Sequence, residues 1–327
     1  MLSTFLNNYT YKKEKFFFLF LYITLIIGFF LGENSTGGAI SDYLTSKKLS
    51  EAFALDFFKV LSEYDSVGET RHSPVLVIFL SLLERLEASD TLIRLIHLHL
   101  CLLLPYFFYK CLIIKFSEVD KKIFFFLTCL IFISPTFRSL AIWPDSRLLG
   151  LTLFTLSIYY FLKFEESKDL KYAITNVITL ALSSYISPNF CVFSIFFFIK
   201  FFLNYGIFSK KILAIVIINF VLAFPAFYYI FVLDINFLKN TAAIGGIEEN
   251  ERIMFNNLFN DVLITFSIIF FYLIPLLFFK VIKISNIFNL KSIIFSIFIF
   301  LICLLNFDYN YFYSGGGIFF KLSNFLF

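Results

Sequence analysis

The sequence predicts an all-α polytopic membrane protein: a single domain over residues 1–327 with about nine to ten transmembrane helices and a long first external loop carrying amphipathic helices. Composition is the first reason, because 60% of the 327 residues are apolar, 15% are charged and the mean hydropathy is +0.86. Soluble domains carry about 25% charged residues. The second reason is that the apolar residues fall in runs close to the ~20 residues that a spanning helix needs.

Nine runs are long and apolar enough to be interpreted as membrane spans. They cover residues 15–32, 91–114, 122–137, 148–163, 171–186, 188–206, 211–233, 257–280 and 291–307. Two boundaries depend on proline, since Ser134-Pro135 and Ser187-Pro188 each end one helix and begin the next segment. The chain ends inside a shorter apolar stretch, Ile318–Phe327, so a truncated C-terminus is an alternative to a tenth span.

The distribution of charge orients these helices. If the short apolar run at residues 73–83 does not span, one side of the membrane collects 16 basic residues against 6 acidic ones. These charges lie in segments 12–15, 110–122, 163–171, 200–211 and 280–291. Cytoplasmic loops carry an excess of Lys and Arg. We therefore expect a cytoplasmic N-terminus and external loops at 33–90 and 234–257. As a separate expectation, the protein is located in a bacterial inner (plasma) membrane. The net charge of +4 follows from this topology, so we expect no nucleic-acid partner.

The first external loop contains apolar residues at three- and four-residue spacing, which predicts an amphipathic helix. The residues are Leu49, Phe53, Phe57, Val60, Leu61 and Tyr64. Two interpretations stay open: the helix lies in the membrane interface, or it packs on other extramembrane segments.

Cysteine and histidine give little sign of a metal or redox site. The five cysteines lie in or beside apolar runs without a CxxC pair, so we interpret them as small buried hydrophobes. His97 and His99 are two residues apart on a predicted helix and face different sides. We expect all of these residues to be dispensable for chemistry.

The first candidate for function follows the first span. Gly37-Gly38 permits a tight turn against the membrane surface, ahead of a helix that we expect to begin near Tyr43. This turn would present Asp42 next to the bilayer. The alternative is that Ser41 or Asp42 only caps the helix.

The second candidate lies in the second external loop and contains Arg138, Asp145, Arg147 and the single tryptophan, Trp143. Arginines flanking an aspartate at a membrane face suit a phosphate group, because arginine pairs bidentately with phosphate oxygens. The alternative is that Asp145 caps the helix starting near Ser146 and Trp143 anchors the interface.

A third candidate, Arg71 with His72, precedes Ser73-Pro74 and the short apolar run. Arg71 and His72 could contact an anionic ligand. The alternative is that His72 is exposed to solvent and has no function.

Together these features resemble the membrane glycosyltransferases of the C-type fold, which include protein O-mannosyltransferases, aminoarabinose transferases of lipid A and oligosaccharyltransferases. The resemblance covers residues 15–165. It is carried by Asp42 in a long first external loop, the His72-Ser73-Pro74 turn before a short apolar helix, the span start Leu92-Ile93-Arg94-Leu95, and a second external acid, Asp145.

The resemblance implies that a sugar moves from a polyprenyl-phosphate donor to a glycan, lipid or protein acceptor at the external face of the membrane. It implies that Asp42 and Asp145 are the catalytic acids. A divalent cation is a possible cofactor, but no metal-ligand set is identified. Candidates for binding the donor phosphate are Arg138, Arg147, Arg71 and His72. One departure is that Asp42 stands alone, whereas some family members have paired acidic residues in this loop.

Two other classes stay open. A polysaccharide polymerase of the O-antigen type has similar length and hydropathy, and it also uses external arginines. A non-enzymatic transporter would carry ionisable residues near the membrane midplane. The predicted spans are almost free of charge at their centres, which argues against a transporter.

Overall fold

The computed structural model describes residues 2–35, 38–64, 73–206 and 208–232, and every regular element in these ranges is helical. The helices are α1 (Leu2–Phe30), α2 (Ala39–Leu55), α3 (Phe57–Ser62), α4 (Val75–Arg85), α5 (Asp90–Cys101), α6 (Leu103–Lys115), α7 (Lys121–Ile133), α8 (Pro135–Ile142), α9 (Ser146–Ser167), α10 (Leu170–Ile186), α11 (Phe193–Tyr205) and α12 (Lys210–Phe227). Short helical turns at Pro188–Val192 and Tyr228–Val232 precede α11 and follow α12.

Four helical segments in the described ranges are long and apolar enough to cross a membrane. They are Asp90–Lys115, Ser146–Ser167, Pro188–Tyr205 and Lys210–Phe227, of 26, 22, 18 and 18 residues. Their bounds lie within a few residues of four predicted spans, except that α12 ends before residue 233. These segments support an all-α membrane protein. The predicted spans 257–280 and 291–307, the loop 234–257 and the stretch Ile318–Phe327 lie outside the described residues.

The span predicted at 122–137 is broken in the structure. Its two halves, α7 and α8, meet at Ser134 with a bend of 62°. Pro135 disfavours helical geometry at Ser134, and Ser134 is extended, with φ −61° and ψ 120°. The Ser134 hydroxyl then accepts a hydrogen bond from the Phe137 backbone N–H and caps α8. The bend directs α8 toward the end of α1.

The helix predicted over residues 49–64 is in fact two helices. Asp56 breaks it, because its carboxylate accepts a hydrogen bond from the Lys59 backbone N–H and so caps α3. The predicted apolar face is buried against α4, with Leu49, Phe53, Val60, Tyr64 and Val77 in one cluster. These residues therefore pack on another helix of the same predicted loop, which is the contact that the second interpretation expected, and the position of α2 and α3 relative to the membrane interface stays a prediction. Helix α4 has 11 residues, or about 16 Å, which is about half of a bilayer core.

Two clusters of buried apolar residues pack the ends of several helices against one another. The first contains Leu25 and Phe29 of α1, Leu98 of α5, Phe132 of α7 and Ile142 of α8. The second joins α2, α4, α5 and α9 through Tyr43, Leu76, Leu80, Ile93 and Leu149. As a result, the residues just before α9 lie beside the first turn of α2.

Candidate functional site

The two predicted catalytic acids, Asp42 and Asp145, meet at one arginine. Nη2 of Arg147 lies 2.7 Å from Oδ2 of Asp42 and 2.7 Å from Oδ2 of Asp145. Nε of Arg147 also donates to both carboxylate oxygens of Asp145, at 3.1 Å each. The structure therefore joins Asp42 of the first candidate to Asp145 and Arg147 of the second.

Asp145 is held by the start of α9. Its backbone is extended, and its carboxylate accepts hydrogen bonds from the backbone N–H groups of Arg147, at 2.7 Å, and Leu148, at 3.4 Å. The side chain is only 5% exposed. Asp145 thus caps α9, as one interpretation of the sequence predicted, and the same carboxylate binds the Arg147 side chain.

Asp42 lies in the first turn of α2 and does not cap the helix. Helix α2 begins at Ala39, four residues earlier than expected, and Gly38 is its N-cap without a side-chain hydrogen bond. A carboxylate in the first turn is favoured by the helix dipole. The Asp42 side chain is 45% exposed, so it is the accessible acid of the pair.

A small open pocket lies beside this ion-pair cluster. Its lining includes both acids and three serines, and the full set is Asp42, Ser46, Ser73, Leu76, Val77, Pro144, Asp145 and Ser146. Its volume is about 10 Å³, which is the space needed by about one water molecule. Any ligand larger than a water molecule therefore requires the pocket to open.

Helix α2 is fixed beside the site by a second polar cluster. Oδ1 of Asp90 accepts hydrogen bonds from the Tyr43 hydroxyl, at 2.6 Å, and from Nζ of Lys47, at 2.8 Å. The hydrogen bond to Asp90 raises the pKa of Lys47, and burial raises the pKa of Tyr43. One turn further on, the Glu84 carboxyl lies 2.5 Å from the Ser50 hydroxyl, and burial raises the pKa of Glu84.

His97 was missed by the sequence analysis as a partner of the site. It is fully buried, with Nδ1 3.2 Å from the Ala141 carbonyl and Nε2 3.4 Å from the Asp145 backbone nitrogen. A carbonyl only accepts and a backbone N–H only donates, so the imidazole is neutral with its proton on Nδ1. The sequence contained one signal for this role, since His97 is a polar ring inside an apolar predicted span. A buried polar group needs a hydrogen-bond partner.

Arg138 lies apart from this cluster, in a bidentate ion pair with Glu33. Its Nε donates to both carboxylate oxygens of Glu33, at 2.8 and 3.0 Å, and its Nη2 lies 2.6 Å from Oε2. The remaining donors reach the Thr24 hydroxyl and carbonyl and the Phe132 carbonyl. The hydrogen bond from Arg138 lowers the pKa of Glu33. Arg138 was predicted to bind donor phosphate, but all its nitrogens are already used by the fold.

Gly28 makes room for this ion pair. A Cβ atom at position 28 would collide with Oε2 of Glu33 and lie 2.8 Å from Nη2 of Arg138. The indole N–H of Trp143 donates to the Glu33 carbonyl at 2.9 Å and holds the same turn. The guanidinium carbon of Arg94 lies 3.5 Å from the Trp143 ring centroid, which is a cation–π contact. Trp143 and Arg94 thus brace the turn after α1.

The remaining predicted residues are only partly described. Arg71 and His72 lie outside the described residues, whereas Ser73 of the same turn donates a hydrogen bond to the Tyr185 carbonyl and lines the pocket. Within the described ranges, no group of three or more His, Cys, Asp or Glu side chains could hold a metal ion.

Comparisons of the chain with protein-family models, with curated proteins and with solved structures give no significant match.

Proposed function

We propose that the protein is a membrane glycosyltransferase that moves a sugar from a polyprenyl-phosphate donor to an acceptor at the external face of the membrane. The observation that carries this proposal is the cluster of Asp42, Arg147 and Asp145. It combines an accessible carboxylate with a cation at the start of a helix long enough to span the membrane.

The depth of Arg147 suits a lipid-linked donor. Arg147 is the second residue of α9, a 22-residue candidate span, so the end of this helix places it near the headgroup region. The phosphate of a polyprenyl-linked sugar lies at that height, while the lipid tail extends along the helices.

In this proposal Asp42 is the general base. Its carboxylate takes the proton of the acceptor hydroxyl as that oxygen attacks the anomeric carbon. The bond between the anomeric carbon and the phosphate oxygen breaks, and its electron pair leaves with the phosphate. Arg147 stabilises the resulting negative charge, while buried Asp145 holds the guanidinium in place. Arg138 is left out of the donor site because it is committed to Glu33.

The test is a transfer assay with a polyprenyl-phosphate sugar. General-base catalysis contributes about 10²–10⁴-fold, so Asp42→Asn is expected to lower turnover by at least about a hundredfold. Asp56→Asn is the matched control, because Asp56 lies in the same loop and Asn preserves its capping role. Asp56→Asn should retain normal turnover.

Near-normal turnover by Asp42→Asn would end this assignment. A polymerase of the O-antigen type is the second candidate, and the half-exposed Arg147 favours it equally. Loss of polysaccharide elongation in Arg147→Lys, together with normal elongation in Asp42→Asn, would favour the polymerase.

A further inference from the structure

We propose that the two ion pairs of Arg147 form an exchangeable latch, in which a phosphate group replaces Asp42 on the guanidinium and thereby releases the Asp42 carboxylate. The inference rests on the proposed function for the role of the released carboxylate. The exchange itself depends only on the geometry around Arg147.

The two ion pairs differ in strength. Asp145 is buried and binds the side chain of Arg147 through three contacts, at 2.7 to 3.1 Å, besides capping α9. Asp42 is half-exposed and makes one contact, at 2.7 Å. Exposed ion pairs contribute little to stability, whereas breaking a buried pair costs several times more. Asp42 is therefore the partner that a ligand displaces.

The shape of the guanidinium makes displacement necessary. A bidentate partner uses either the edge formed by Nε and Nη2 or the edge formed by Nη1 and Nη2. Asp145 occupies the first edge. On the second edge, Nη1 of Arg147 makes no hydrogen bond to any part of the chain that the structure describes, but the free direction of Nη2 is taken by Asp42. A phosphate that binds this edge with two oxygens must take the place of Asp42.

Charge leads to the same conclusion. The cluster already has two carboxylates for one guanidinium. A phosphate bound without the departure of Asp42 would place three anionic groups around one cation. The pocket beside Asp42 holds about one water molecule, so movement of this side chain also enlarges the space next to Arg147. Binding of the phosphate and release of the base are thus one event.

The exchange is tested by a double-mutant cycle, in which phosphate binding to the 327-residue chain is measured in lipid nanodiscs. The probe is a short-chain polyprenyl phosphate. Asp42→Asn removes the competitor and should tighten binding about two- to fivefold, which corresponds to the value of an exposed ion pair. In an Arg147→Gln background the same substitution should change binding less than about 1.5-fold. Asp56→Asn, the charge-matched control, should not change binding.

One substitution needs a folding check. Arg147→Gln leaves Asp145 buried without its cation, so Arg147→Lys is tested beside it. Lysine keeps the charge but lacks the two-edged fork, and the tightening by Asp42→Asn should also disappear in this background. Equal tightening in the wild-type and Arg147 backgrounds would overturn the latch, because Asp42 would then act by charge repulsion alone.

Measuring the cycle with two ligands, inorganic phosphate and polyprenyl phosphate, identifies the source of the phosphate. If inorganic phosphate reproduces the cycle, the phosphate group alone operates the latch. If only polyprenyl phosphate does so, the latch operates on a lipid-borne phosphate. If Asp42→Asn binds both ligands with the same affinity as the wild type, the exchange is refuted. This holds even if the variant has lost turnover, in which case the proposed function stands. If Asp42→Asn tightens binding only when Arg147 is present, but also keeps normal turnover, the proposed function is refuted. The latch would then be operated by an anion without a catalytic role for Asp42.

Discussion

Replacing Glu33 with Gln tests whether the buried pair with Arg138 is structural. Gln keeps the shape of Glu and one acceptor oxygen, but it leaves the guanidinium uncompensated. The Arg138 side chain is 15% exposed and that of Glu33 is 25% exposed. Removing one partner of a buried pair costs about 3–5 kcal/mol. Because Glu33 is partly exposed, we expect the free energy of unfolding to fall by an amount at the lower end of this range, about 3 kcal/mol.

The chain's own cysteines provide the assay. Cys101, Cys111 and Cys129 are buried, so a thiol-reactive fluorophore reports their exposure when the protein unfolds on heating. Cys191 is exposed and is replaced with Ser to remove background labelling. Cys303, which lies outside the described residues, is replaced with Ser as well. A loss of about 3 kcal/mol should lower Tm by about 5–10 °C.

The control is Glu166→Gln, which removes an exposed ion pair with Lys163 and should cost less than about 1 kcal/mol. Because Arg138 lowers the pKa of Glu33, the contribution of the pair is present above the usual glutamate pKa of 4.5 and is lost as pH falls through the lower folded value. The difference in Tm between the wild type and Glu33→Gln should therefore become smaller at acidic pH. A fall in Tm no larger than that of Glu166→Gln would refute the structural role of this pair.

Three other expectations follow from the structure. Burial raises the pKa of Glu84, so its ionisation opposes folding as pH rises through the folded value. Glu84→Gln should raise Tm at pH 8 and leave it unchanged near pH 4, and an equal shift at both would contradict this. His97→Leu leaves two buried polar groups unpaired, at about 1–3 kcal/mol each, whereas Gln retains a donor and an acceptor; the same thermal assay should show a large fall for Leu and a small one for Gln. For topology, Lys48→Cys and Glu87→Cys should both react with an impermeant thiol reagent from the side opposite Lys168→Cys. Labelling of Lys48→Cys from the Lys168 side, with Glu87→Cys still labelled from the opposite side, would show that α4 spans.

Several features of the fold are determined by the sequence because their causes are local. The length of the apolar runs predicted the helices at residues 90–115, 146–167 and 188–205 within a few residues. Pro135 predicted the boundary after Ser134, although the 62° bend between the two halves was not foreseen. One of the two interpretations of Asp145, that it caps α9, is confirmed, and the sequence could offer it because the contact lies within three residues of chain.

The partners of the charged residues were decided by the tertiary structure. Arg147 and Asp42 are 105 positions apart, and so are Arg138 and Glu33. Both arginines looked alike in the sequence as candidates for a phosphate. Packing of α8 against α1 buries Arg138 with Glu33, whereas packing of α2 and α4 beside α9 leaves Arg147 half-exposed between two aspartates. Hydropathy and helix signals report each residue with its near neighbours in the chain, so they do not show which distant carboxylate an arginine meets.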